Sequence, residues 1–132
     1  MPHSRFVDSD GILITTISGV VTFNELIQLE YDLTSYIKDA CIYEMAIHSD
    51  DVELSIGVND SNNSAKTLKV VMNGLRNGAI AFVSKRDYIF GLCRRMQMLI
   101  DNEFVQINVF RNEETAHKWL NEMKSYNNSD PD

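Results

Sequence analysis

Two short polar segments carry the residues whose types and spacing could do chemistry. His48, Ser49 and Asp50 end one mostly apolar run, and Lys85 and Arg86 directly follow a second. In open α/β sheets, ligands bind outside the carboxyl ends of the strands, so we expect these segments to meet at one edge. The two basic side chains would suit an anionic ligand or an acidic partner there. The alternative is that all five are ordinary solvated loop residues.

The helix predicted after Arg86 adds two candidates to the same binding surface. Tyr88 stands near its start and Arg95 two turns further along. We therefore include both with the predicted ligand- or partner-binding residues.

The sequence predicts no catalytic residue, cofactor or metal site. A Gly-rich phosphate loop and a Gly-x-Ser-x-Gly nucleophile elbow are both absent. The histidines His3, His48 and His117 share no ligand spacing. Cys41 and Cys93 stand far apart with no CxxC motif, which favours reduced thiols. We therefore expect a protein that is not an enzyme.

Charge is unevenly distributed along the 132 residues, whose formal net charge is −7. Residues 61–100 carry seven basic side chains against Asp87 alone, whereas the flanking segments are acidic. An acidic body repels phosphate at long range, which argues against nucleic-acid binding. The basic segment either pairs with the acidic ones or forms a surface for a partner.

Hydrophobic periodicity predicts strands that alternate with helices. Residues 52–58 alternate apolar and polar side chains and form either a short edge strand or an extended loop, and 59–64 is a polar break. Capping residues mark the first helix at Thr22 and Glu25, the third at Asp87 and the fourth at Asn112. The predicted strands are 6–7, 12–17, 41–48, 79–83 and 105–109, and the predicted helices are 22–37, 68–75, 88–102 and 112–123.

This order, β-β-α-β-α-β-α-β-α, predicts one α/β domain over residues 1–124. Its mixed sheet would have five strands, or six if 52–58 joins it, and about four helices. Residues 125–132 are polar and predict a flexible tail. We expect a cytoplasmic protein, because the sequence shows neither a signal-peptide pattern nor an apolar run long enough to span a membrane. An exposed edge strand at 52–58 would also allow a homodimer.

Three stretches resemble the SpoIIAA-like family, relatives of the STAS domain. Residues 18–25 (SGVVTFNE) are similar to its entry into the first helix. Residues 79–96 are similar to its strand followed by an aromatic-Gly helix. Residues 109–120 (VFRNEETAHKWL) are similar to its closing signature, the most specific of the three.

The resemblance implies a STAS-like fold and a non-enzymatic regulatory or protein-interaction module with an unidentified protein partner. Antagonists of this kind are switched by phosphorylation at a helix start, and Ser61 or Ser64 occupies that region. This chain lacks their Asp-Ser-x-Gly motif. The family is also close to the CRAL-TRIO lipid-binding fold, which implies an alternative: a carrier or sensor that binds a lipid or other apolar small molecule between sheet and helices.

Overall fold

The computed structural model describes residues 3–55, 57–100 and 104–128. Strands and helices alternate through most of this part of the chain, with one short 3-10 helix after the first α-helix. In chain order the elements are β1 His3–Val7, β2 Leu13–Ile17, β3 Val20–Thr22, α1 Phe23–Tyr31, the 3-10 helix Asp32–Tyr36, β4 Cys41–His48, β5 Glu53–Ser55, α2 Val58–Met72, β6 Asn77–Val83, α3 Asp87–Leu99, β7 Val105–Phe110 and α4 Glu113–Asn128.

The main sheet is mixed and has five strands in the order β1-β2-β4-β6-β7. β1 and β2 form an antiparallel hairpin, and the other neighbouring strands are parallel. The predicted α/β class with a five-stranded mixed sheet and four helices is confirmed. The optional sixth strand does not join this sheet, because β5 pairs with β3 in a separate two-stranded parallel sheet.

The two faces of the main sheet pack against different helices. Side chains alternate between faces along a strand, so Glu44 and Ala46 of β4 lie on one face while Tyr43 and Met45 lie on the other. The Met45 face packs against α4. The Glu44 face is covered by α1, α2 and α3. These three helices and the sheet beneath them enclose the site described below.

Local signals explain where several elements begin. The Thr22 hydroxyl accepts a hydrogen bond from the Glu25 amide, and the Glu25 carboxylate accepts one from the Thr22 amide, so the predicted capping box is present. Asn112 caps α4 by accepting from the Thr115 amide at 2.9 Å. In the β1–β2 turn, Asp8 accepts from two backbone amides.

Strand boundaries differ from the predictions by up to three residues, since β1 begins at His3 rather than 6 and β6 at Asn77 rather than 79. Four differences at the helices are more informative. The α1 helix ends at Tyr31 rather than 37 and continues as the 3-10 helix. The predicted polar break at 59–64 is helical, since Asp60 accepts from the Gly57 amide at 3.0 Å and so starts α2 at Val58. Asp87 is not the cap of α3. It is the first residue of that helix, and the cap position, Arg86, makes no side-chain capping bond.

The fourth difference is at the end of α4. Residues 125–128, which were predicted to belong to a flexible tail, are helical, and the side-chain Nδ2 of Asn127 donates to the Tyr43 hydroxyl at 2.9 Å. This bond attaches the last turn of α4 to the central strand. The rest of the predicted tail, 129–132, and the predicted end of α3 beyond 100 lie outside the described residues.

Candidate functional site

A cavity of about 70 Å³ lies between the main sheet and helices α1, α2 and α3. At about 10–15 Å³ for each water-sized occupant, it has room for roughly five to seven atoms of that size. Most of its lining is apolar, from both the helices and the sheet: Leu29, Leu33, Leu54, Leu68, Phe82 and Met96. Several lining side chains, such as Leu54 and Met96, are only half-buried. An apolar wall with a few polar groups is typical of small-molecule sites.

Arg5 forms the centre of a buried polar network at one side of the cavity. Its Nη2 pairs with Glu44 Oε2 at 3.3 Å, and its Nε donates to the Thr15 hydroxyl at 2.9 Å. Thr15 in turn donates to the same Glu44 oxygen at 2.7 Å. Arg5 Nη1 donates to the Leu29 carbonyl at 2.9 Å, which joins the network to the last turn of α1. Both charged side chains are about 95% buried, so each depends on the other.

Glu30 of α1 is the second buried carboxyl group, and it is only partly satisfied. Ser64 of α2 donates to its Oε2 at 2.5 Å. Its Oε1 is buried and has no hydrogen-bond partner. An unpaired buried polar atom usually costs about 1–3 kcal/mol of stability. Since Glu30 is also one of the residues that line the cavity, its unpaired oxygen calls for an explanation.

Burial controls the protonation of both carboxyl groups. It raises the pKa of Glu30 to about 8, opposed by the hydrogen bond from Ser64, and the nearby Glu44 adds to the rise. Burial likewise raises the pKa of Glu44, while Arg5 and Thr15 oppose that rise. At neutral pH, Glu30 is therefore mainly a neutral acid that needs little free energy to ionise.

Two further titratable groups in the lining are neutral. Burial lowers the pKa of His48, whose Nδ1 lies 3.2 Å from the Val83 carbonyl. A carbonyl only accepts, so Nδ1 carries the proton and Nε2 is left as the acceptor. Burial raises the pKa of the Cys93 thiol to about 12, so this thiol is protonated and unreactive. Both Cys93 and Cys41 are free cysteines that form no disulfide bond.

Four of the predicted binding residues do meet at the carboxyl ends of the strands. His48, Ser49, Asp50 and Lys85 line a polar cleft of about 300 Å³, together with residues at the start of α4. His48 lines both this cleft and the cavity. The expectation that strand ends bring the two polar segments together is therefore met for these four residues.

The other three predicted binding residues lie outside the cleft lining. Arg86 is held by the backbone, because its Nη1 donates to the carbonyl of Asp50 at 3.3 Å and to that of Val52. Tyr88 is exposed on α3. Arg95 is further along that helix and donates to Asn62 of α2 at 3.2 Å. Arg86 therefore joins the two polar segments through the backbone of Asp50. Tyr88 and Arg95 lie on α3, outside the cleft lining.

Both candidate phosphoacceptor serines are buried. Ser61 is 3% exposed and Ser64 is fully buried, with its hydroxyl committed to Glu30. A kinase needs an accessible hydroxyl, so this burial counts against a phosphorylation switch in the folded protein.

One group of side chains elsewhere has the geometry of metal ligands. Oxygens of Asp8 and Asp10 and a nitrogen of His117 lie within 4.8 Å of one another. Asp8 Oδ1 already accepts from two amides of the turn, and Lys124 donates to the Asp10 carbonyl. These contacts attach the β1–β2 hairpin to α4, a structural role that accounts for the group.

Sequence reasoning missed Arg5, Glu30 and Glu44 as site residues, although two of them left a signal. Glu44 is the only charged residue within the apolar run of β4, and a buried central strand rarely tolerates a carboxylate without a partner. Glu30 stands on the same helical stripe as Leu26, Leu29 and Leu33.

Comparisons with family models, curated proteins and solved structures found no match to this chain. The resemblance to the SpoIIAA-like family therefore stays a prediction.

Across residues 3–55, 57–100 and 104–128, no helix has both the length and the apolar character that crossing a membrane requires.

Proposed function

We propose that this protein binds a small, largely apolar molecule in the cavity between the main sheet and helices α1, α2 and α3. The observation that carries the proposal is Glu30, a buried carboxyl group in the lining of an apolar cavity, with one oxygen lacking a partner. Replacing such a group by an apolar one of similar size would remove its desolvation cost. A ligand with one polar group would instead provide the unpaired oxygen of Glu30 with a hydrogen-bond partner.

The contacts in the lining support binding rather than turnover. Glu44 is held by Arg5 and Thr15, and the Cys93 thiol is protonated. The cavity volume of about 70 Å³ favours a short ligand of a few heavy atoms over a full lipid chain. We thus propose a sensor or carrier without enzymatic activity, for a ligand smaller than the lipid implied by the resemblance.

The test combines native mass spectrometry with titration of a panel of small alcohols, amines and acids, followed by thermal unfolding. A ligand at a hundred times its Kd stabilises the native state by about 2.7 kcal/mol. Ala46 lies in the cavity lining, so Ala46→Leu should abolish that stabilisation by filling the space. Val70→Leu, at an exposed position on α2, is the matched control and should leave it intact. Binding that Ala46→Leu leaves unchanged would contradict the proposal, as would a panel with no binder.

A second role is favoured by His48, which lines both the cavity and the polar cleft. We propose that ligand binding is communicated through this side chain to the cleft, where a protein partner would contact Ser49 and Lys85. This joins the ligand-binding alternative to the regulatory module that the resemblance implies. Ligand titration should shift the amide NMR signals of Ser49 and Lys85. Signals that stay fixed while the cavity fills would exclude the coupling.

A further inference from the structure

The free oxygen of Glu30 restricts the chemistry of the ligand. Ser64 occupies Oε2, so Oε1 is the oxygen left for a ligand. Glu30 is 7% exposed and lies on a stripe of leucines, where bulk solvent does not satisfy it. A ligand that reaches Glu30 must therefore supply a complementary polar group from within the cavity.

The ionisable groups of the lining favour a cationic ligand over an anionic one. Among the described lining residues, the carboxyl groups of Glu30 and Glu44 stand against the single guanidinium of Arg5. All three nitrogens of Arg5 already donate, and its charge is matched by Glu44. His48 is neutral and uses its Nδ1 proton on the Val83 carbonyl. An anionic ligand would find no unmatched cation here, whereas an ammonium group would provide Glu30 with a counter-ion.

The rest of the lining limits the body of the ligand. The walls are formed mainly by leucine, phenylalanine and methionine side chains, and the volume is about 70 Å³. A short branched alkyl chain fits these walls, while a second charged or strongly polar group would be buried without a partner.

We propose that the ligand is a small aliphatic amine, bound as its ammonium ion with the nitrogen at Glu30 Oε1 and the alkyl group against the leucines of α1 and α2. This inference rests on the proposed function and names the ligand class of the same cavity. No covalent bond forms or breaks. The free protein holds a proton on Glu30 at neutral pH, and that proton passes to the solvent when the ammonium ion binds.

The titratable groups that line the cavity with Glu30 are Arg5 on β1, Glu44 and His48 on β4, and Cys93 on α3. Arg5 and Glu44 are already paired with each other, and the thiol is protonated. Proton release on binding is therefore assigned to Glu30. The number of protons released can be measured by repeating the titration in buffers of different ionisation enthalpy and comparing the calorimetric heats.

The experiment is isothermal titration calorimetry at pH 7 with three probes of nearly equal shape: isobutylamine, isobutanol and isobutyrate. The wild-type protein should bind isobutylamine at least tenfold more tightly than isobutanol, release close to one proton, and not bind isobutyrate. In Glu30→Gln, which keeps the size of the side chain, amine affinity should fall at least tenfold while isobutanol affinity stays within about threefold.

The outcomes separate this inference from the proposed function. If isobutanol binds as tightly as the amine, or if Glu30→Gln leaves amine affinity unchanged, the amine assignment is wrong while the cavity remains a binding site. Preferential binding of isobutyrate also overturns the assignment. If none of the three probes binds the wild-type protein, both proposals fail. The wild-type comparison of probes needs no variant, so the inference can be tested even if Glu30→Gln does not fold.

Discussion

The two faces of the main sheet are packed differently. On the face that packs against α4, the strands present Met45, Ala79 and Ala81 to Ala116 and Leu120 of the helix, and all five are buried and apolar. On the face covered by α1, α2 and α3, strand β4 presents charged and polar groups beside a cavity, while β6 presents an apolar side chain to it. One sheet thus carries an apolar, close-packed layer against α4 and, on the other face, a layer that combines apolar packing with buried charges and a cavity.

This difference has consequences for stability. Close packing of apolar side chains is a direct source of stability. A buried ion pair such as that of Arg5 and Glu44 adds little net stability over an apolar pair of similar volume. Both faces carry buried apolar clusters, and the α1–α3 face in addition buries charged groups beside its cavity, which we expect to cost some stability.

Breaking the buried ion pair should give the largest effect. Arg5→Met leaves the Glu44 carboxyl group buried with Thr15 alone, and this should lower the free energy of unfolding by about 3–5 kcal/mol. The double variant Arg5→Met/Glu44→Leu should recover most of the loss, because it removes the charge as well. Urea unfolding at pH 7 measures both, and a double variant no more stable than the single one would show that the pair itself stabilises the fold.

The pH dependence of stability should report Glu30. The unfolded chain loses this proton near pH 4.5, while the folded protein holds it until about pH 8. Between these values the unfolded state binds fewer protons, so stability falls as pH rises, by about 3 kcal/mol between pH 5 and pH 7.5. Burial of His48 lowers its pKa and acts in the opposite direction. The relevant measurement is therefore the difference between wild type and Glu30→Gln.

That difference should grow steadily from pH 5 to pH 7.5, with Glu30→Gln becoming the relatively more stable protein at the upper end. Parallel stability profiles for the two proteins would mean that Glu30 ionises normally in the fold.

Two alanines provide a direct comparison of packing on the two faces. Ala81 of β6 is fully buried against α4, so Ala81→Leu should cost about 1–3 kcal/mol by overpacking. Ala46 of β4 lies in the cavity lining, so Ala46→Leu should cost less than about 1 kcal/mol, because the added methyl groups enter existing space. Equal losses, measured by thermal unfolding, would mean that the two faces are packed alike.

A substitution in the turn before β4 should have the smallest effect and leave both faces unchanged. Ala40 has a φ of 58° and Asp39 a φ of 53°, a left-handed pair in the turn that joins Lys38 to Cys41. Glycine adopts this conformation without the cost of about 1–2 kcal/mol that a Cβ carries. Ala40→Gly should raise stability by about 0.5–1 kcal/mol, without altering the pH profile assigned to Glu30. A destabilised variant would show that the turn is not strained.

Much of the fold could be predicted from the sequence because its signals are local. The Thr22–Glu25 capping box and the apolar run 41–48 each indicate one element within a few residues. The predictions failed where a tertiary contact decides a boundary, as at Asn127, whose bond to Tyr43 holds the last turn of α4.

The polar lining of the cavity was harder to predict because its groups are far apart in the sequence. Arg5 and Glu44 are 39 residues apart, and Ser64 and Glu30 are 34 residues apart. Only the strand register and the packing of α1 on α2 bring them to one cavity. The strand-end residues His48 and Lys85 were predictable because parallel topology alone places them at one edge.

An NMR titration of methyl signals with isobutylamine and isobutanol tests most directly whether the α1–α3 face is a binding site. Leu29, Leu33 and Leu68 report the cavity, while Leu120 and Met45 report the close-packed face. The account predicts saturable shifts for the three cavity leucines with at least one probe, and no shift for the other two residues. Cavity signals that remain unchanged with both probes, or shifts of equal size on the two faces, would contradict it.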